Sequence, residues 1–191
     1  LGDAWTVTVL AQPTAPWQAC QVTAGGSGVM GATGAAGVVV TCTTSAFAVG
    51  GTASGVLAPG LSLALTVAGV KGAAQPVGAG PFTLDGAVPS GAAWLVTVES
   101  HPARQACTVT DGGGVMAGGD VTGVAVACAC AAPWEDCNGL PGDGCETDLG
   151  GDPQHCGACG HVCGLPNGLT SCNAGARSEE RRVGKECIAV C

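Results

Sequence analysis

Cysteine is the residue type with the greatest chemical potential in this chain of 191 residues, which contains 13 of them. Seven fall within one stretch: Cys130, Cys137, Cys145, Cys156, Cys159, Cys163 and Cys172. Cysteines at this density either pair as disulfides in an oxidising compartment or bind a metal as thiolates. Few neighbouring residues could build a hydrophobic core, so we expect disulfides to hold this stretch together, in pairs that the sequence leaves unassigned.

Zinc ligands crowd one part of this stretch. The candidates are His155, Cys156, Cys159, His161 and Cys163. Two cysteines separated by two residues are common in structural zinc sites, but in a disulfide-dense exported chain the same spacing belongs more often to cystines. A cystine has no thiolate to offer, so we expect the oxidised protein to bind no zinc.

Calcium ligands crowd a second part. The oxygen-bearing side chains are Asp136, Asn138, Asp143, Glu146 and Asp148. Carboxylate and amide oxygens are the ligands that calcium prefers. The EF-hand pattern is not met, because Leu140 and Pro141 stand where an acidic or amide residue and then a glycine are required. A calcium site of another kind within residues 136–152 stays an alternative to solvated acidic turns, and no other cofactor is expected.

Catalytic patterns are missing from the sequence. Its three histidines are His101, His155 and His161, and it has no Gly-x-Ser-x-Gly nucleophile elbow. The run Gly26–Gly31 matches a dinucleotide-binding fingerprint, but neither a helix pattern nor an acidic residue follows at the required distance, so we predict a hairpin turn. We therefore expect a protein that is not an enzyme and has no catalytic residues.

The charge balance argues against two classes of partner. The formal net charge is -8, and the chain has only six lysines and arginines. Nucleic acids and anionic membrane surfaces both require clustered basic residues. No apolar run reaches the roughly 20 residues that cross a bilayer. We expect neither nucleic-acid binding nor membrane insertion.

An internal repeat indicates the elements that position these residues. Trp5, Cys20, Gly28, Met30 and Cys42 return in the same order as Trp94, Cys107, Gly114, Met116 and Cys128. A period of about 86 to 89 residues is too long for a solenoid and is typical of a small β-sandwich domain. The 34 glycines and 11 prolines agree with many turns and little helix.

Alternating residue types predict the strands. From 61 to 68 a leucine or valine occupies every second position, and the runs 94–98 and 124–128 alternate in the same way. Turn-forming residues separate these runs, which gives about seven short strands between 47 and 128. The predicted fold class is all-β: an immunoglobulin-like or transthyretin-like sandwich repeat, followed by a small, loop-dominated, disulfide-rich module.

The repeat also predicts domain bounds and two disulfides. The expected domains are the C-terminal half of a truncated sandwich (1–44), a complete sandwich (45–128) and a truncated disulfide module (129–176). The chain start aligns with the middle of the second copy, so we expect an internal cut there. The cysteines of each copy lie at matched places and face inward, which predicts the disulfides Cys20–Cys42 and Cys107–Cys128.

Residues 1–128 carry a motif string beyond the cysteines. It consists of Val49–Gly55, Phe82, Ser90 with Gly91, and Val96–Val98, with Trp94 where an aromatic residue is usual. In this string the segment resembles repeats of large exported proteins of environmental bacteria. The resemblance implies an extracellular structural repeat and brings no catalytic residues with it.

The cysteine-rich stretch has motifs of its own, in the segments Asp136–Gly139, Gly144–Asp148 and Cys156–Cys163. With these, residues 130–176 resemble a cysteine-rich repeat that is often found in tandem on exported bacterial proteins. The resemblance implies a further cysteine near position 177, which would pair the odd one of the seven.

The final residues differ in composition from everything before them. Seven of the fifteen residues from Arg177 to Cys191 are charged. The run Arg177–Cys187 resembles the translation of a common sequencing adapter. We expect residues 177–191 to be an artefact, disordered and without contacts to the rest of the chain.

Together these patterns predict a non-catalytic structural or adhesive fragment of a large secreted or cell-surface bacterial protein. An adhesive surface would bind a protein or a glycan that the sequence does not identify. Two alternatives stay open. One is an accessory region of a secreted enzyme whose catalytic domain lies elsewhere, and the other is a calcium-binding extracellular module.

Overall fold

A computed structural model describes residues 2–140, 142–162, 169–173 and 176–180, and every regular element in them is a β-strand. Residues 2–44 contain β1 (Ala4–Thr6), β2 (Gln18–Ala24), β3 (Ser27–Val29) and β4 (Val39–Thr44). Residues 45–130 contain β5 (Ala46–Ser54), β6 (Ser62–Val67), β7 (Val70–Lys71), β8 (Gln75–Pro76), β9 (Gly80–Pro89), β10 (Ala93–Ser100), β11 (Gln105–Thr110), β12 (Gly113–Val115) and β13 (Val121–Cys130). The remaining strands are β14 (Trp134–Glu135), β15 (Thr147–Asp148), β16 (Leu169–Asn173) and β17 (Ala176–Glu180). None of the described residues forms a helix that is long and apolar enough to cross a membrane.

Residues 45–130 form two packed sheets, which we call the sandwich. One sheet has the strand order β11-β13-β5-β9, and the other has β12-β10-β6-β7 with β8 also on β6. The side chains between the sheets include Val49, Leu61, Leu63, Leu65, Leu84, Val88, Val96, Met116, Val124 and Val126. The predicted all-β sandwich is confirmed, but with nine strands rather than about seven, because β7 and β8 are too short to produce a visible period. Strand β13 also runs to Cys130, past the expected end at 128.

The first and last strands of the sandwich lie side by side and run parallel, from Val121 opposite Val49 to Ala127 opposite Ser54. The other strand pairs of the sandwich are antiparallel. Gly51 faces the backbone of Val124 so closely that a Cβ there would overlap the Val124 carbonyl oxygen. The second glycine of the Val-Gly-Gly-Thr motif is therefore explained by the approach of β13.

Residues 2–44, which we call the half-repeat, reproduce four strands of the sandwich. Strand β1 pairs with β3 and places Trp5 opposite Gly28, as β10 and β12 place Trp94 opposite Gly114. Strand β2 pairs with β4 in the same way that β11 pairs with β13. Both pairs carry a cross-strand disulfide between directly opposite residues: Cys20–Cys42 in the half-repeat and Cys107–Cys128 in the sandwich. These are the two disulfides that the repeat predicts.

Three further disulfides stabilise the cysteine-rich module, by which we mean residues 131–162 together with Cys172. They are Cys130–Cys145, Cys137–Cys159 and Cys156–Cys172. Among the described residues of 131–162, the two-residue pair β14–β15 is the only strand pair, so covalent links take the place of an extended sheet. Cys163, which the sequence also assigns to this network, lies outside the described residues.

The expectation of a disordered tail without contacts is wrong for residues 177–180. They belong to β17, which pairs antiparallel with β16 and sets Arg177 opposite Cys172. Strand pairing is made by backbone hydrogen bonds, which every residue type except proline can both donate and accept. Composition was therefore a poor guide to local structure here, and the adapter origin of this segment stays a prediction. Residues 181–191 lie outside the described part of the chain.

Candidate functional site

The two places where one unit meets the next share a backbone contact. The unit that follows the half-repeat begins at Ser45, whose amide donates to the carbonyl oxygen of Trp17 at 2.9 Å. The unit that follows the sandwich begins at Ala131, whose amide donates to the carbonyl oxygen of Arg104 at 2.8 Å. Trp17 and Arg104 both stand directly before a Gln-Ala-Cys sequence. The same backbone contact therefore recurs at two successive joints.

At the first joint, the Trp17 residue contacts the sandwich through both backbone and ring. Its amide donates to Ser90 Oγ at 3.0 Å, and the Ser90 amide donates to the Ser45 carbonyl oxygen at 2.8 Å. The indole lies against Gly118, where a Cβ would overlap the ring. The Trp17 side chain is 41% exposed, so the joint covers only part of it. We call this contact the tryptophan joint.

At the second joint, the guanidinium of Arg104 lies over the ring of Trp134, 3.6 Å from the ring centre. The same side chain donates from Nη1 to the carbonyl oxygen of Cys145 at 3.4 Å. A cation over an indole face contributes about 0.5 to 2 kcal/mol, depending on how far it is desolvated. The Cys130–Cys145 disulfide joins the end of β13 to the module beside this contact. We call it the arginine joint.

A groove of about 540 Å³ lies next to the arginine joint. It is lined by the segments 56–61 and 76–79 of the sandwich and by Gly142 of the module. The Gly142 amide donates to the Leu57 carbonyl oxygen at 2.9 Å, and the Leu57 amide donates to Gln105 Oε1 at 3.0 Å. None of the lining residues has a titratable side chain. The groove offers apolar contact and backbone hydrogen bonds, without an acid, a base or a nucleophile.

The candidate calcium ligands mostly bind nearby backbone amides. Asp136 Oδ1 accepts from the Gly139 amide at 2.6 Å, and Asp148 Oδ1 accepts from the Gly150 amide at 2.9 Å. Asn138 Nδ2 donates to Asp143 Oδ2 at 2.9 Å. The two carboxylate-to-amide contacts stabilise local turns, and the third joins two side chains of the same loop. The described residues contain no group of three or more side chains placed to hold a metal ion.

Glu146, the fifth candidate, has a structural environment of its own. Its Oε1 accepts from the Cys137 amide at 3.0 Å and from Thr147 Oγ1 at 3.1 Å, while Oε2 is buried without a hydrogen bond to a described residue. The backbone amide of Glu146 itself, and then that of Cys137, lower the pKa of the carboxyl, against a raising effect of burial. The carboxylate thus ties the Cys137 loop to β15.

The candidate zinc ligands that the structure describes are also occupied, while Cys163 lies outside the described residues. Cys156 and Cys159 are bridged to Cys172 and Cys137. His155 Nδ1 accepts from the Gly160 amide at 3.0 Å, and Nδ1 of His161 lies 3.0 Å from the Cys156 carbonyl oxygen. The two imidazoles fix the loop between the cysteines, which is a structural role.

His101 is exposed, and its ring has a structural partner as well. Its Nδ1 accepts from the Cys107 amide at 3.0 Å. In the half-repeat, Gln12 Oε1 takes the same position and accepts from the Cys20 amide at 2.6 Å. Two different side chains thus complete the same turn before the first cysteine of each copy.

Sequence reasoning missed Trp17, Arg104 and Trp134. The available signal was the position of the first two, since each precedes Gln-Ala-Cys in its own copy of the repeat. Comparison of the chain with protein-family models, with curated proteins and with solved structures finds no match. Five disulfides in this part of the chain are typical of extracellular proteins.

Proposed function

We propose that this chain is a non-catalytic structural segment of a large secreted or cell-surface bacterial protein of the structural or adhesive kind. In it, immunoglobulin-like sandwich repeats act as tension-bearing spacers between functional parts. The proposal rests above all on one observation, the parallel pairing of β5 and β13. These are the strands through which the chain enters and leaves the sandwich.

Parallel end strands respond to tension in a particular way. The chain enters at Ser45, just before β5, and leaves at Ala131, just after β13. In a parallel pair these two points lie at opposite ends of the ladder, so tension pulls the strands past each other and loads the ladder hydrogen bonds together. An antiparallel pair pulled from one end opens one bond at a time. The sandwich is therefore connected in the geometry that resists extension best.

Side chains add support at both ends of this ladder. Asp120 Oδ1 accepts from the Ala48 amide at 2.8 Å at one end, and Ser54 Oγ donates to the Val126 carbonyl oxygen at 3.3 Å near the other. The Cys107–Cys128 disulfide ties β13 covalently to β11. Strand β13 cannot then be drawn out of its sheet without displacing its neighbour.

The two joints transmit the tension from the sandwich to the units on either side of it. The tryptophan joint holds the half-repeat at the entry end, and the arginine joint holds the module at the exit end. Both use a residue that directly precedes the first strand of a disulfide-closed pair. A spacer needs this arrangement because fixed joints keep the distance between units constant.

Single-molecule pulling tests the proposal through the choice of attachment points. In one arm the oxidised full chain is held at positions 45 and 131, which loads the parallel pair in shear. In the control arm it is held at positions 45 and 91, which opens the antiparallel pair of β5 with β9 from the end where Ala46 faces Pro89. We expect the rupture force to be several times higher in the first arm. Equal forces in the two arms would overturn the tension-bearing role.

A further inference from the structure

The inner face of the half-repeat is exposed at positions that are buried in the sandwich. Val40 is 50% exposed, whereas its counterpart Val126 is 1% exposed. Met30 is 38% exposed, whereas Met116 is 2% exposed. The same difference separates Val7 from Val96 and Val38 from Val124. We call Val7, Met30, Val38 and Val40 the open face.

The backbone beneath the open face already has the geometry of a finished sandwich. The Met30 amide donates to the Asp3 carbonyl oxygen at 2.8 Å, as the Met116 amide donates to that of Ala92 at 2.9 Å. The Val7 amide donates to the Gly26 carbonyl oxygen as the Val96 amide does to that of Gly112. The strand pairs of the half-repeat are thus already formed, but no described strands pack over the open face.

Two strand edges border the open face. Among the described residues, β4 pairs only with β2, and β1 pairs only with β3. Their counterparts in the sandwich are paired on both sides. Strand β13 lies between β11 and β5, and β10 lies between β12 and β6. What is missing beside the half-repeat is therefore one strand like β5 and one strand like β6.

We propose that the open face binds a polypeptide segment with the chemistry of residues 45–90, which adds a β5-like strand parallel to β4 and a β6-like strand antiparallel to β1. The segment must carry a glycine where β5 carries Gly51. Any side chain there would overlap the carbonyl oxygen of Val38, as a Cβ at Gly51 would overlap that of Val124. Alternating leucines, as at Leu63 and Leu65, then cover the exposed valines.

A folded second molecule of this protein is not the occupant. Its own β5 is already paired with β13 on one side and β9 on the other, and its β6 is paired with β10. Neither strand has a free edge to offer. The occupant is therefore a repeat segment with the chemistry of residues 45–90 whose own second half does not compete for it.

The direct test joins a copy of residues 45–90 in front of Gly2 of the full chain. Gly2 takes the place of Gly91 in this graft, since the Gly2 amide bonds the Met30 carbonyl oxygen as the Gly91 amide bonds that of Met116. Hydrogen exchange of amides 38–44 is then compared with that of amides 124–130. We expect exchange at 38–44 to slow by at least about tenfold, toward the rates of 124–130.

The matched control is the same graft with Gly51→Val in the grafted copy, which should leave exchange at 38–44 at the rate of the parent chain. Since a graft can fail to fold for other reasons, a second measurement adds a synthetic peptide of residues 45–56 to the isotope-labelled parent chain. The peptide should shift the amide signals of 38–44, and its Gly51→Val form should not.

Three results would overturn the proposal. One is unchanged exchange in the graft together with no peptide-induced shifts. Another is equal protection by the glycine and valine forms, which would mean unspecific capture of apolar sequence. The third is protection of 38–44 in the parent chain that rises with protein concentration, because a second molecule would then be the cover.

Discussion

Replacing Gly51 by alanine should damage the sandwich far more than a single methyl group usually does. The methyl would overlap the carbonyl oxygen of Val124, and the opposing atom belongs to the backbone, so it cannot turn aside. Strands β5 and β13 must then separate over part of the ladder that runs from Val121 to Ala127. The core residues Val124 and Val126, each 1% exposed, lose contact at the same time.

The loss of folding stability expected for Gly51→Ala follows from the atom that the new methyl group would meet. Overpacking in a well-packed interior costs about 1 to 3 kcal/mol. Because the new methyl group would meet a backbone atom rather than a side chain, we expect Gly51→Ala to cost near 3 kcal/mol or above. For a domain of this size, each kcal/mol lowers the melting temperature by about 4 to 8 °C. We therefore expect Gly51→Ala to lower the melting temperature of the sandwich by roughly 12 to 24 °C.

Thermal unfolding of the oxidised full chain, followed by circular dichroism, measures this shift. Gly123→Ala is the matched control, because Gly123 lies in β13 beside the same ladder but has open space where its Cβ would be. That change should stabilise the sandwich by up to about 1 kcal/mol through the unfolded state. Equal melting temperatures for the two variants would refute the close approach of β5 to β13.

Three more predictions concern the cross-links and the module. Replacing Cys107 and Cys128 together by serine should lower the free energy of unfolding by about 3 kcal/mol in chemical denaturation, because their bond spans 21 positions of sequence. The lowered pKa of Glu146 means that its stabilising effect is present above its unfolded pKa of about 4.3 and is lost as the pH falls through the lower folded pKa. The melting temperature of the wild type should therefore drop more than that of Glu146→Gln between about pH 6 and about pH 3, and parallel curves would count against this role. Elemental analysis of the oxidised chain should find no stoichiometric zinc, because Cys137, Cys156 and Cys159 are disulfide-bonded; zinc accompanied by free thiols would overturn that pairing.

Local patterns in the sequence were enough to predict the longer strands of the sandwich and two of the disulfides. The alternation around Leu63 and Leu65 identifies the side chains of β6 that join the core between the sheets, because side chains on a strand alternate between its faces. Cys20 and Cys42 could be paired because the same two positions recur in the other copy. A repeat is in effect a second observation of the same structure.

Contacts between distant segments could not be predicted from local sequence patterns. The parallel pairing of β5 with β13 joins strands some seventy residues apart, and nothing in either strand specifies its neighbour apart from the glycine at Gly51. The joints at Trp17 and Arg104 depend on how whole units meet, which a pattern within one unit does not encode. For the charged residues of β17 the sequence led to a wrong prediction, because their composition suggested disorder where a strand pair forms.

The central claim is that tension enters the sandwich through β5 and leaves it through β13, so that the unit breaks all at once. The most direct measurement is the length released when the chain, held at positions 45 and 131, ruptures with and without its disulfide. Reduction should lengthen a single rupture by about 70 Å, since it frees the 21 residue-to-residue steps from Cys107 to Cys128 at roughly 3.3 to 3.6 Å each. Extension in several small steps at low force, or a released length that reduction leaves unchanged, would contradict the claim.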